Sequence, residues 1–332
     1  MVVAPTLVDE LPPGYAWLDD EPAFDPAIHL DLTMPQRIDT LADFGYSTDE
    51  IEPTATPVAA TSAFRILSDE GAAVFLDTCR RLKQFAAEPN ERIQVMVRQT
   101  VYRSKFMRDL CVSPEVTAHM STIYGVPVAS HTMGSHLGHL NFAPLDLERP
   151  VDKWHHDTLA LDYVMCVSDP AQQDGGDFEY FHGTKAEAAA FAEAGETPPR
   201  DRVVVVEWPG PGYAVALHGN MVVHRGGPVH SPCERITMVN GYVALDTTKD
   251  DQTRSHDLVA IDPAVPLFHE WGRHAAWRGA SRLQAVIDEL EFEADPAVVA
   301  AKLQDAVAEV NEAVEQMTTG NAELFHYEKA AR

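Results

Sequence analysis

From Thr158 to Ser168 apolar and polar positions alternate with a period of two. Leu159, Leu161, Tyr163, Met165 and Val167 form one set; Thr158, Ala160, Asp162, Val164, Cys166 and Ser168 form the other. Successive strand side chains point to opposite faces, so a large apolar face backed by a small or polar one predicts a strand lining an enclosed interior. The same parity puts Tyr163 on the side of Asp157, facing inward. Strand-like text recurs at Phe178 to Phe181, Val203 to Trp208, Tyr213 to His218 and Glu234 to Leu245. Gly175-Gly176, Pro209-Gly210-Pro211-Gly212, Gly219-Asn220 and Gly226-Gly227-Pro228 break the chain between them. Many short strands joined by Gly/Pro turns predict a β-sandwich or barrel.

Helical periods flank this core. Ser68 caps a helix after a short strand at Phe64 to Leu67, with Asp69 and Glu70 where carboxylates suit the dipole. Val74, Phe75, Cys79, Leu82 and Phe85 make its apolar stripe. Arg92 to Val101 reads as strand, Phe106 to Tyr124 as helix, Gly125 to Asn141 as short strands, and Lys185 to Ala194 as an Ala-rich surface helix. Residues 1–60 carry Pro12-Pro13-Gly14 and prolines at 35, 53 and 57, which predict an extended arm packed on the core. Residues 61–250 form the core with flanking helices, and residues 251–332 a helical extension. In the extension Leu283, Val286, Ile287 and Leu290 share one stripe, and Asp295-Pro296 starts a further helix. Leu303, Val307, Val310, Val314 and Met317 follow four and three apart, a seam for another helix. That seam packs on this chain's own barrel or forms a homodimer through the C-terminal helices.

Charge narrows the partners. With 25 basic against 51 acidic residues the net charge is −26, which argues against nucleic acid and anionic membrane. It also makes a local cation informative, since a dianion is repelled almost everywhere else. The four cysteines show no CxxC pair and read as free thiols. No apolar run approaches the roughly 20 residues of a spanning helix, and Met1 to Glu10 has no signal-peptide pattern. The expectation is a soluble, cytoplasmic protein.

Candidate chemistry centres on Trp154-His155-His156-Asp157. His155 and Asp157, two apart, share a strand face and supply two-thirds of the two-His-one-carboxylate triad that holds non-haem Fe(II) with open positions. His224 is the best candidate for the third ligand. His29-Leu30-Asp31 repeats the tripeptide, so the pattern alone is cheap. Arg235 and Thr237 share a parity with Val239 and Gly241 and point into the same interior. A buried guanidinium needs an anion, and its planar fork matches a carboxylate. An internal salt bridge is the plainer alternative. His156 faces outward by parity. His269-Glu270-Trp271-Gly272-Arg273-His274 is no zinc motif, because five residues separate its histidines by about 140° on a helix.

Taken together, His155-His156-Asp157, Gly175-Gly176-Asp177-Phe178 with Gly183-Thr184, Pro211-Gly212-Tyr213-Ala214 to Leu217-His218, His224-Arg225-Gly226 and Arg235-Ile236-Thr237 form an ordered series. In that order and spacing the chain resembles the Fe(II)- and 2-oxoglutarate-dependent oxygenases, nearest the bacterial small-molecule branch beside the phytanoyl-CoA dioxygenases. The resemblance covers roughly residues 130 to 245. It implies a mainly β fold with added helices, a double-stranded β-helix (jelly roll) core plus C-terminal helices. It implies Fe(II) on His155, Asp157 and His224, and 2-oxoglutarate held at its distal carboxylate by Arg235 with Thr237. Tyr163, inward by parity, is either a further donor to that co-substrate or core filler. O2 completes the set, and a small-molecule metabolite is hydroxylated with release of succinate and CO2. Arg103, His139 and Asn141 are candidate substrate contacts. Desaturation, epimerisation or ring formation at the same iron site is an alternative outcome, and a jelly-roll binding protein without turnover is the alternative from another class. The retained Asp157 speaks against halogenases, where a small residue leaves room for halide.

Overall fold

The computed structural model describes residues 2–253, 256–293, 295–320 and 324–328. In chain order its strands are β1 (Ile38–Thr40), β2 (Val58–Thr61), β3 (Phe64–Arg65), β4 (Met96–Val97), β5 (Val128–Ser130), β6 (His139–Phe142), β7 (Pro150–His155), β8 (Leu161–Cys166), β9 (Phe178–Phe181), β10 (Val203–Val205), β11 (Tyr213–His218), β12 (His224–Pro228) and β13 (Ile236–Ala244). They form two antiparallel sheets. The larger runs β1-β2-β11-β8-β13-β6-β4, with β3 beside β11 and β5 beside β13; the smaller runs β10-β9-β12-β7. From β6 onward the chain passes back and forth between them, and the Gly/Pro breaks at 175–176, 209–212 and 219–220 are crossings, whereas Gly226-Gly227-Pro228, expected as a break, lies inside β12.

Both faces of the larger sheet are buried. Its inner face, with Val164, Val215 and Leu217, packs on Phe178 and Tyr180 of the smaller sheet. Its outer face, with Leu161, Tyr163, Met165, Ile236, Met238 and Tyr242, is covered by Phe75, Cys79 and Leu82 of the helix Asp69–Leu82 and by Phe106, Leu110, Val116 and Met120. This reverses the alternation expected for β8. Tyr163 points to the helices and Val164 to the interior. The strand begins only at Leu161, and the irregular Asp157 to Ala160 connection breaks the parity counted from Asp157. A sheet buried on both sides can place its bulkier set on either side, and here the helices take it.

Other elements differ from the sequence pattern in instructive ways. Residues 1–60 supply β1 and most of β2 to the larger sheet, beyond an extended arm. Only Met96–Val97 is strand within 92–101. The helical text after Phe106 is two helices, Lys105–Cys111 and Pro114–Tyr124, because Ser113 caps the second and Pro114 occupies its first turn. In the C-terminal extension, Ala264–Glu289 and Pro296–Thr319 pack on each other. Close approach is made over small residues: Ala306 and Ala313 are buried, whereas Leu303 and Val314 are 45% and 56% exposed. The expected seam is thus only partly used, with Val310 lying against Gly279. Arg278 and Arg282 both pair with Glu309 across this contact. Glu270 anchors the first of these helices to the body, accepting from the Tyr102 hydroxyl and from the Ser135 N–H at 3.4 Å. Among the described residues no helix is long and apolar enough to cross a membrane.

Residues 324–328 lie along β7, the edge of the smaller sheet. The Tyr327 N–H donates to the Trp154 carbonyl at 2.7 Å, and the Trp154 N–H donates to Glu328 Oε1 at 3.1 Å. The Tyr327 hydroxyl is 2.9 Å from His156 Nδ1, and Phe325 packs on the same imidazole. His156 does turn away from the triad, but it lies under this segment.

Candidate metal centre

His155 ends β7 and His224 opens β12. The two are cross-strand partners, with ring centroids 4.3 Å apart. Asp157 lies two residues beyond the strand, held there by main-chain contacts. Its N–H donates to the Gly219 carbonyl at 2.9 Å, and its carbonyl accepts from Asn220 Nδ2 at 2.9 Å. Gly219 is required by space: a Cβ there would come within 2.2 Å of Asp162 Oδ2 and 3.1 Å of Asp157 Oδ2. His155 Nε2 is 3.4 Å from Asp157 Oδ1, His224 Nε2 is 3.4 Å from Asp157 Oδ2, and one ligand atom from each residue lies within 4.8 Å of the others.

The tautomers suit a metal. His155 Nδ1–H donates to the Lys153 carbonyl at 2.7 Å, and His224 Nδ1–H to the Val222 carbonyl at 2.9 Å. Each ring, once a metal displaces any proton from Nε2, therefore turns a lone pair toward the shared point, the second-shell arrangement that fixes metal-binding imidazoles. Burial pushes the Asp157 carboxyl up, but the His224 charge and hydrogen bonds from both imidazoles overcome it, leaving it well below the usual range. Burial likewise depresses His224, and Asp157 more than reverses that. Three buried donors that polarise one another this strongly fit a divalent ion of the kind two histidines and a carboxylate hold. Asp152 lies 3.6 Å from His155 Nε2, but Arg92 engages it at 2.9 Å. Behind Asp157, Asp162 is fully buried with neither carboxyl oxygen bonded; burial, then the Asp157 charge, pushes its carboxyl well up.

One cavity joins this triad to Arg235, Thr237, Asn141, His136 and His139. Arg235, 3% exposed, donates from Nε to the Gly176 carbonyl and from Nη1 to Thr237 Oγ1, both at 2.9 Å. Gly176 adopts φ +75°, and a Cβ there would press within 3.2 Å of the Arg235 side chain. Among the described residues no carboxylate pairs with this guanidinium, and burial lowers it to about 10. Asn141 is opposite Thr237 in register, and its Oδ1 is buried without a partner. His139 and Arg98 also line the cavity, Arg98 Nη1 lying 3.2 Å from His139 Nδ1.

Two expected contacts lie elsewhere. Tyr163 faces the helices, on the other side of the sheet from this cavity, for the parity reason given above. Arg103 is clamped between the Tyr15 and Phe85 rings, at 4.4 and 4.1 Å, and does not line the cavity. Its position after Tyr102 in a 3-10 turn directs it to the N-terminal arm. Sequence reasoning missed the roof: Leu258 and Ile261 from the helix His256–Ile261, and Leu324 from the segment along β7. Nothing distinguishes those residues in the sequence from any other apolar positions.

No family model matches this sequence, and a search of curated proteins returns no match. Similar solved structures include the non-heme alpha ketoglutarate dependent epimerase SnoN from nogalamycin biosynthesis, at 15% identity and TM-score 0.41 over 60% of this chain and 84% of that one. EctD from S. alaskensis with 2-oxoglutarate and 5-hydroxyectoine matches at 15% and 0.40, over 70% and 87%. The non-heme monooxygenase ThoJ–Ni complex matches at 14% and 0.42, over 81% and 99%. At these TM-scores the functional reading rests on the geometry of the site.

Proposed function

We propose that this chain is an Fe(II)- and 2-oxoglutarate-dependent dioxygenase that hydroxylates a small molecule. One observation carries the reading: two Nε2 lone pairs and a carboxylate converge at one point, beside a buried guanidinium that no carboxylate of the described residues answers. The passage of β6 to β13 between two antiparallel sheets supports a double-stranded β-helix as the scaffold.

His155, Asp157 and His224 would hold the iron, leaving open positions for co-substrate and O2. Iron with 2-oxoglutarate and O2 supplies an oxidative decarboxylation, giving succinate, CO2 and the power to break a substrate C–H bond. The chain does the rest. Arg235 offers the distal carboxylate a charged fork, already oriented by Gly176 and Thr237. Asn141, opposite Thr237, belongs to this co-substrate end rather than to the substrate. The Lys153 and Val222 carbonyls keep protons on Nδ1 of both ligands. Leu258, Ile261 and Leu324 roof the site against water.

Anaerobic addition of Fe(II) and 2-oxoglutarate should produce a visible charge-transfer band that His224→Ala abolishes. No band, together with no succinate under oxygen, would leave a ligand-binding jelly roll without turnover. Product analysis then separates hydroxylation from desaturation, epimerisation and ring formation.

A further inference from the structure

Once iron and co-substrate are assigned, the remaining cavity wall has a specific balance of charge. Arg92 pairs with Asp152 at 2.9 Å, Arg98 with Asp262 at 2.6 Å, and Arg225 with Glu179 at 2.7 Å. Each of these cations already has a carboxylate partner, Glu179 being shared with Arg200, and Arg235 is committed to the co-substrate end. An anionic substrate group would have to break a pair to find a cation. A cationic one would enter among guanidiniums with no free carboxylate to meet it. Either burial is costly without compensation.

What the wall does leave open is neutral. His136 and His139 line the cavity, and the Nε2 atom of each is buried and has no hydrogen-bond partner among the described residues. A guanidinium can only donate, so His139 Nδ1 accepts from Arg98 and the ring proton sits on Nε2, a donor left without a partner in a residue that lines the cavity. Burial, then the Arg98 charge, holds both imidazoles far below their ordinary range, His136 at about 3, so neither carries charge at neutral pH. Leu258, Ile261 and Leu324 offer only hydrocarbon, and Leu159 and Val239 continue that surface.

We propose that the cavity selects an uncharged substrate, which presents a hydroxyl or carbonyl oxygen to His139 and His136 and sets an apolar body beneath Leu258, Ile261 and Leu324. This rests on the iron-site reading above. Hydroxyl oxygen satisfies either tautomer of His136, and carbonyl oxygen satisfies the His139 donor. The Arg98–Asp262 pair joins the two halves of the pocket: Arg98 fixes the His139 tautomer, and Asp262 immediately follows the roof helix.

The test uses the full chain with Fe(II) and 2-oxoglutarate, and cyclohexanol, cyclohexanone, cyclohexanecarboxylate and cyclohexylamine, with larger fused-ring analogues of each. Two readouts are taken: perturbation of the anaerobic charge-transfer band, and succinate release above the substrate-free background. The alcohols and ketones should act at concentrations about a hundredfold below their charged counterparts. His139→Ala, which removes the Nε2 donor, should reduce the preference for cyclohexanone over cyclohexane about tenfold, and an unchanged preference overturns the role given to His139. Leu324→Lys, which places a cation in the roof, should shift preference toward the carboxylates. A charged series acting as well as the neutral one overturns the proposal, as does silence from every neutral member while the band itself forms. Failure of the band to form at all refutes the iron-site reading instead.

Discussion

Replacing Arg235 by Met separates stability from function. In the ligand-free protein the guanidinium is 3% exposed and has no carboxylate partner among the described residues; burial lowers it from 12.5 to about 10. At about 1.4 kcal/mol per pKa unit, that depression corresponds to about 3 kcal/mol spent on holding the charge there. Met fills a similar volume but forfeits hydrogen bonds from a charged donor to the Gly176 carbonyl and Thr237 Oγ1, at about 1.5 kcal/mol each. The two terms offset each other, so ligand-free Arg235→Met should melt within a few degrees of the parent. Co-substrate binding has no such offset. Losing a buried ion-pair partner costs about 3–5 kcal/mol, so the Kd for 2-oxoglutarate should rise by about two to four orders of magnitude. At 100 times its Kd, 2-oxoglutarate adds about 2.7 kcal/mol to the parent and almost nothing to the variant. Anaerobic melting curves should therefore nearly coincide without Fe(II) and 2-oxoglutarate and separate when both are added, the loaded variant melting lower. A variant that binds 2-oxoglutarate as the parent does, or melts several degrees lower without it, would refute the reasoning.

Two further outcomes follow from groups outside the triad. Burial pushes the Glu270 carboxyl from 4.5 up to about 7, so the folded state holds a proton that the unfolded chain has lost between those values. Its contribution is full below pH 4.5 and disappears as pH rises through about 7; Glu270→Gln should remove about 3 kcal/mol of that downward slope in denaturant titrations. A variant with the parent's slope would show that Glu270 ionises at its ordinary pH. Tyr327→Phe removes the hydroxyl beside His156 Nδ1 while keeping the ring. Amide exchange over Trp154 to Asp157 should quicken, and Fe(II) affinity should fall about fivefold; unchanged exchange and affinity together would show that this segment does not steady the metal strand.

Much of the site was legible because its chemistry is concentrated in residue types that have few other uses when buried. His155 and Asp157 two apart, His224 at a strand start, and Arg235 with Thr237 in one strand all announce themselves by type and spacing. Parity served well at β13, where Thr237 in the strand and Arg235 just before it both reach the cavity. It failed for Tyr163 because counting crossed an irregular connection, and because a sheet buried on both faces does not reveal which apolar set is inward. Arg103 shows a different limit. Its charge was visible, but the pair of aromatic rings that hold it comes from Tyr15 and Phe85, distant in sequence. The roof and the Arg98–Asp262 pair, 164 residues apart, were illegible for the same reason. Contacts made by ordinary residues across long separations leave no local pattern.

The strip of chain beside β7 bears on how the molecule keeps to itself. β7 is an outermost strand, and its Trp154 amide and carbonyl are the kind of groups through which one polypeptide recruits another into a shared sheet. Glu328 and Tyr327 occupy both. The strand that delivers His155 is thereby withheld from strangers, and a liability common to sandwich proteins is closed off at the place where misassembly would do the most harm.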